Sequence, residues 1–432
     1  MTKSWRGLVL RFHFYAGVLV GPFVLIAALT GVLYAATPQL ESWLYADKLT
    51  VPASERTVPL SRQVEAAVET QSSATVVAVR PAPESGATTR VLFSSPELGE
   101  SERLAVFVDP GTGAVVGDLV TYGSSGVLPL RATLDGLHRN LLLGEVGRLY
   151  SELAASWLWV VALGGLVLWL SRRRNVTPKP AVRRHAVVGL WVLVGALFLS
   201  ATGLTWSKYA GENVADLRKT FGWTTPSLKL TGSGDHAGHT SATPTAGTPS
   251  EVDSVVATAR SAGIDARAVE VTWPSEGGAW KVAEIEREWP TQADSVAVHH
   301  GVVVDQVRFA DYPLMAKLTR WGIDAHMGVL FGWLNQLLLL ALGAGLVGLV
   351  VLGYRMWWRR RPTRGFGRPV PRGQWRKAPP AQVVGVLVVA AAVGWFVPLF
   401  GLTLLGFLVV DTVLGIAAGR REPEREPVEH AV

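Results

Sequence analysis

Arg11–Tyr34 reads RFHFYAGVLVGPFVLIAALTGVLY, and 172 residues later Arg183–Trp206 reads RRHAVVGLWVLVGALFLSATGLTW. Seven of the 24 aligned positions are identical, among them Arg11 with Arg183, His13 with His185, Gly17 with Gly189, Thr30 with Thr202 and Gly31 with Gly203. Both stretches stay apolar for about 20 residues, the length that crosses a bilayer. Each leads into a long connection that closes on a His with a Gly six positions later: His138 and Gly144, then His326 and Gly332. A second apolar stretch follows in each case and ends in Arg172–Arg174 or Arg359–Arg361. The chain therefore reads as a two-span unit written twice in parallel, with the copies expected about an axis along the membrane normal.

Composition points the same way. Of 432 residues, 49% are hydrophobic and only 17% charged, where a soluble domain carries about a quarter. The apolar runs predict spans at 12–36, 153–170, 186–206 and 328–354. The run from Ala381 to Gly419 is too long for one helix, and Pro398 near its middle predicts a hairpin of two. The net charge of +7 does not indicate nucleic acid, because 21 of the 41 Lys and Arg fall in four short segments that abut apolar runs. Those segments carry Lys3, Arg6 and Arg11; Arg172–Arg174, Lys179, Arg183 and Arg184; Arg355 and Arg359–Arg361 through Arg364, Arg368, Arg372, Arg376 and Lys377; and Arg420, Arg421 and Arg425. By the positive-inside rule they lie in the cytoplasm with both termini. The first apolar run is too long for a secretory leader and no A-x-A site follows it, so an uncleaved helix is expected.

The resulting plan has a first transmembrane helix (1–36), an extracytoplasmic module (37–152), two spans (153–206) and a second module (207–327) with a low-complexity linker at 231–250. A fourth span (328–354), a basic cytoplasmic loop (355–380), the transmembrane hairpin (381–419) and a cytoplasmic tail (420–432) complete it. Within the first module, Leu60–Gln71 has helical period, and Thr75–Arg80, Thr89–Ser94, Arg103–Val108 and Ala114–Val120 read as strands, the last two joined by the turn Asp109–Gly113. In the second, Glu251–Ser261 reads as helix, with strands near Ala268–Trp273, Ala279–Ile285, Asp294–His299 and Val302–Val307. The fold class is thus an α-helical integral membrane protein bearing two small α+β modules.

The absence of cysteine excludes disulfides, thiolate zinc or iron–sulfur sites, catalytic thiols and covalently attached haem. Four of the nine histidines remain as the chemistry-bearing constellation. His13 and His185 fall at the cytoplasmic ends of the first and third spans, and His138 and His326 at the outer edges of the second and fourth. About a pseudo-twofold axis each equivalent pair faces itself, giving one His pair per membrane face. Paired neutral imidazoles between helices are a ligand set for six-coordinate haem b, so two such haems are expected. Gly17 and Gly189 remove bulk one turn from their histidines, and Arg11, Arg139, Arg183 and Arg184 are near enough in sequence to neutralise propionates. A plain metal site competes at the outer pair, where Asp135 and Asp324 can join a zinc ion or orient the imidazoles.

Weaker signals stand beside these. His236 and His239 lie in the linker, His299-His300-Gly301 occupies a hairpin turn, and Asp411 is a carboxylate in the sixth span. Gly343–Gly348 formally matches G-x-G-x-x-G but lies inside a span with no preceding strand, so close helix packing accounts for it.

Arg11–Gly17, Leu137–Gly144 (LHRNLLLG) and His326–Gly332 (HMGVLFG) resemble the PepSY-associated transmembrane family of bacteria, often labelled iron-regulated membrane proteins. The resemblance covers nearly the whole chain and makes the two modules PepSY-like. Some members are similar to di-haem reductases that release iron from ferric siderophores outside the cytoplasm. By position this implies His13, His185, His138 and His326 as haem ligands and a ferric siderophore as acceptor. Some relatives carry a fused flavoprotein; none is expected in this tail, so a quinol or a separate cytoplasmic reductase would donate electrons. The second module departs from the family's Asp-Pro-x-Thr-Gly turn. The competing function is a non-enzymatic membrane protein whose PepSY-like modules bind or regulate an extracytoplasmic peptidase. A siderophore or metal permease ranks lower, since polar residues are few at mid-membrane.

Overall fold

A computed structural model describes residues 3–71, 73–172, 178–230, 247–361 and 378–420. Arg173, Arg174, Arg364, Arg368, Arg372, Arg376, Lys377, Arg421 and Arg425 of the basic segments, and His236 and His239, lie outside them. The helices and strands run in the order α1 (Lys3–Leu19), α2 (Gly21–Ala35), α3 (Thr37–Leu44), α4 (Ala46–Leu49), α5 (Leu60–Glu69), β1 (Thr75–Arg80), β2 (Thr89–Ser94), β3 (Glu102–Val108) and β4 (Val115–Tyr122). After them come α6 (Pro129–Asn140), α7 (Gly144–Leu170), α8 (Pro180–Thr205), α9 (Tyr209–Thr220), α10 (Val252–Ser261), β5 (Val269–Thr272), β6 (Trp280–Glu284), β7 (Ser295–His299) and β8 (Val302–Val307). Last are α11 (Leu314–His326), α12 (Gly332–Arg359), α13 (Pro380–Phe396) and α14 (Pro398–Arg420). Two compact units result: a helical unit (Met1–Val32, Leu137–Arg218, Leu340–Val432) and a sheet unit (Leu33–Gly136, Lys219–Leu339).

In the helical unit, α7, α8, α12 and the Pro398–Ala417 part of α14 are long and apolar enough to cross a membrane. The first predicted span is not one straight helix: α1 and α2 meet at a 57° bend, and taken together they make a fifth candidate. The bend has a chemical cause in Pro22, which has no N–H for the Val18 carbonyl one turn earlier and whose ring crowds that carbonyl. The Tyr354 hydroxyl of α12 donates to the Val18 carbonyl at 2.5 Å, so the freed acceptor is satisfied. Gly21 makes room for that ring, since a Cβ there would stand 3.0 Å from Tyr354 Cε2. The predicted hairpin breaks where Pro398 starts α14, but α13 has only 17 residues, short of the length of a candidate span, so the described residues hold up to five spans rather than six.

The second span starts earlier than hydropathy suggests, at Gly144 rather than Leu153. Its polar first turns are paid for locally: Glu152, 1% exposed, accepts the Tyr209 and Ala210 N–H groups at 3.1 and 3.0 Å. Helices then pack through small residues. A Cβ on Gly343 would lie 2.5 Å from Val32 Cγ2, and one on Gly345 2.5 Å from Val192 Cγ1, so the glycine run of α12 is a packing surface, as expected. Ala28, Val192, Ala196 and Leu346 form the buried centre of that contact. The C-terminal hairpin is tied in by Trp157 Nε1 donating to Thr403 Oγ1 at 2.9 Å and by an ion pair between Arg11 and Asp411.

The sheet unit departs from two separate modules. Its strands form one eight-stranded antiparallel sheet in the order β4-β3-β2-β1-β5-β6-β7-β8. The two four-stranded halves join where β1 meets β5, with Ala78 opposite Thr272 and Val79 opposite Val271. Period-two alternation gives the sheet two distinct faces. Val79, Val91, Phe93, Val106, Val271, Val282, Val296 and Val298 face α5 and α10 and pack on Val64, Ala67, Val255 and Ala259. Asp253 of α10 accepts the Leu60 and Ser61 N–H groups at the start of α5, at 2.8 and 3.1 Å. The opposite face carries Ala78, Leu92, Ala105 and Phe107 under Leu128, Tyr45 and Leu49.

Candidate functional site

His13 on α1 and His185 on α8 are brought together in the helical unit. Their ring centroids are 6.2 Å apart with the planes at 78°. His13 Nδ1 lies 3.0 Å from the Val161 carbonyl of α7. A carbonyl only accepts, so Nδ1 carries the proton and Nε2 keeps its lone pair. His13 reaches that carbonyl across Gly164 and Gly165: a Cβ at Gly165 would stand 3.2 Å from His13 Cε1, and one at Gly164 3.6 Å from Nδ1. Sequence reading missed these two glycines, although an adjacent pair inside a span was the available signal. On the other side a Cβ at Gly353 would lie 3.9 Å from His185 Cε1. His185 Nδ1 is buried facing the Leu349 backbone, without a hydrogen bond of regular geometry among the described residues.

Of the expected neighbours, Gly17 opens onto space, with nothing within 4 Å of a Cβ there, and Gly189 would meet only Leu349 Cδ2, at 3.8 Å. Arg11 is 5% exposed, paired with Asp411 and set 4.9 Å over the Tyr15 ring. The partner that α14 supplies to Arg11 was invisible from sequence spacing, the two residues being 400 positions apart. Arg183 and Arg184 are exposed on the first turn of α8.

At its other end the helical unit holds His138. Its Nδ1 is 3.0 Å from Thr30 Oγ1 on α2, and a Cβ on Gly31 would stand 3.3 Å from its Cε1. The Thr30 hydroxyl has one proton and donates it to the Ile26 carbonyl at 2.8 Å, which leaves its oxygen to accept from His138 Nδ1–H. Tyr150 donates to the His138 carbonyl at 2.5 Å, and Ser151 to the Arg139 carbonyl at 2.7 Å. The two Thr-Gly pairs of the aligned stretches thus include a histidine cradle at Thr30 and Gly31.

His326 ends α11 in the sheet unit. Asp324, fully buried two residues earlier, pairs with Arg320 at 2.9 Å and Arg287 at 3.7 Å. Burial raises its pKa, opposed by those two guanidinium groups. Both carboxylate oxygens thus face arginines, and among the described residues no three His, Asp or Glu side chains converge as a metal-ion site. His299 and His300 form the β7–β8 turn, with rings 4.1 Å apart and His299 Nδ1 3.2 Å from the Gly278 carbonyl.

Compared with known families, residues 10–360 match the family described as PepSY-associated TM region. The matched range takes in His13, His138, His185 and His326 and stops short of α13 and α14. No curated protein matches the chain.

Proposed function

We propose, for a chain that belongs to the PepSY-associated TM region family, that it carries electrons across a bacterial inner membrane through two haem b groups held by histidine pairs. The observation that carries this reading is the spacing of His13 and His185. With metal–imidazole bonds of about 2.0 Å, His13 and His185 could hold one iron between them only if their rings lie close together. The centroids of these two lie 6.2 Å apart. The Val161 carbonyl supports the same reading, since a ligating imidazole usually gives its other N–H to a fixed acceptor. The group itself would supply reversible one-electron chemistry at iron. His13 and His185 would hold it, and Gly164, Gly165 and Gly353 leave the rings room. With Arg11 committed to Asp411, the exposed Arg183 and Arg184 are the groups left to meet propionates.

For the second haem we assign His138 and His326 as ligands from the aligned halves; the Thr30 contact, which fixes the His138 ring, supports that assignment. The strand order, which reads the same outward in both directions from the β1–β5 seam, supports a duplicated half. The basic segments support a cytoplasmic location for both termini. The acceptor we assign is a ferric siderophore or other ferric chelate, and the donor a quinol or separate reductase. The test is a reduced-minus-oxidised spectrum with a pyridine haemochrome assay on purified protein. Two b-type haems per chain are expected, the inner lost in His13→Ala or His185→Ala and the outer in His138→Ala or His326→Ala. Protein without haem after expression with ample haem supply would sink the proposal.

A further inference from the structure

Arg80 and Arg90 sit directly opposite each other across β1 and β2. Like charges at opposed positions of an antiparallel pair destabilise it, and only one of the two is neutralised. Arg80 binds Glu270 through Nε at 2.7 Å and the Ser124 and Ser125 carbonyls at 2.9 and 2.8 Å. Arg90 lies over the Phe107 ring at 5.6 Å, and its side chain makes no hydrogen bond or ion pair among the described residues. Glu41, whose charge acts on Arg90, is itself paired with Arg131 at 2.5 Å. Burial and the facing Arg80 pull the Arg90 pKa down to about 10, so at neutral pH it remains charged, offset only in part by Glu41. Both arginines line a cavity of about 160 Å³ at the β1–β5 seam, closed by Leu49, Thr88, Ala268 and Ile285.

We infer that this cavity is a binding site for a small oxyanion, a carboxylate or a phosphate group, whose charge Arg90 receives. The planar guanidinium offers a two-pronged donor set suited to either group. Phe107 fixes its plane from one side, while Arg80, already anchored, adds field without being drawn away. The volume suits a single oxyanion group rather than a whole chelate. Because the seam exists only when both halves of the sheet are present, the site belongs to the joined sheet. The inference uses no haem and stands apart from the electron-transfer proposal.

The test is equilibrium dialysis of radiolabelled inorganic phosphate against the full-length protein in detergent, with chloride matched throughout. One saturable phosphate per chain is expected, weakened about tenfold in Arg90→Lys, which keeps the charge but loses the fork, and lost in Arg90→Gln. Thermal unfolding gives a second readout: saturating phosphate should raise the midpoint of the wild type by about 2–4 °C and leave Arg90→Gln unmoved. Displacement by acetate would assign the site to carboxylates, and failure of acetate to displace phosphate would assign it to phosphate groups. No saturable uptake, or binding unchanged in both Arg90 variants, overturns the inference. If Arg90→Gln does not fold, Arg90→Lys and the wild-type stoichiometry decide.

Discussion

The two best-defined histidines are oriented by different kinds of acceptor, and this separates what mutation can reach. His13 gives its Nδ1 proton to a backbone carbonyl, His138 to the Thr30 hydroxyl. Thr30→Val keeps shape and removes only the acceptor. It should weaken retention of the outer haem by about 10–100-fold, the usual cost of losing an outer-shell partner. Haem per chain after extended detergent washing checks this; equal retention by wild type and variant would show that the hydroxyl does not orient the ring. Asp324 permits a pH test. Its folded pKa is raised above the ordinary 3.8 by burial. Its contribution to stability is therefore fully present below that value and lost as pH climbs through the raised one. The thermal-midpoint difference, wild type minus Asp324→Asn, should accordingly fall as pH rises above the ordinary carboxylate range. A difference that grew with pH would reverse the sign and refute the assignment.

Among the elements, the bent α1–α2 pair shows how a proline is accommodated in a membrane-crossing segment. Pro22 leaves the Val18 carbonyl without its helical partner, and Tyr354 supplies the missing donor from α12. Tyr354→Phe should lower stability by about 1–3 kcal/mol, the cost of an unmet buried acceptor. In a Pro22→Ala background the helix regains its own N–H, so the same substitution should cost distinctly less; thermal midpoints of the four proteins form the cycle. Equal losses in both backgrounds would mean that the hydroxyl does not serve that carbonyl.

Across the whole molecule, the joining of two four-stranded halves decides which edges are exposed. β1 and β5 cover each other's hydrogen-bonding edge, and an uncovered edge of that kind pairs with whatever strand it meets. Residues 37–136 expressed alone should therefore self-associate through β1, read as a dimer or larger by light scattering. A stable monomer would show that the half does not need its neighbour. Arg80–Glu270 and Asp253 with the start of α5 add polar links across the same seam.

The chain by itself determined the local elements. β1, β2 and β8 coincide with the strands expected from alternation, and the remaining strands and both module helices differ at their ends by no more than a few residues. The reason is that period-two and helical patterns, with Gly- and Pro-rich turns, are encoded within a dozen neighbouring positions. Hydropathy likewise located the helices long and apolar enough to cross a membrane, though it also counted the shorter α13 as a span, and the repeated Arg-x-His-x-x-x-Gly marked the histidines that lie together. Only the tertiary structure decided which distant groups complete them. The Val161 carbonyl under His13, Asp411 against Arg11, Tyr354 on the Val18 carbonyl and the β1–β5 seam join residues far apart in the chain. Such partners follow from how helices and strands pack. The demand for a buried donor or acceptor is legible in one dimension, while the residue that meets it is chosen in three.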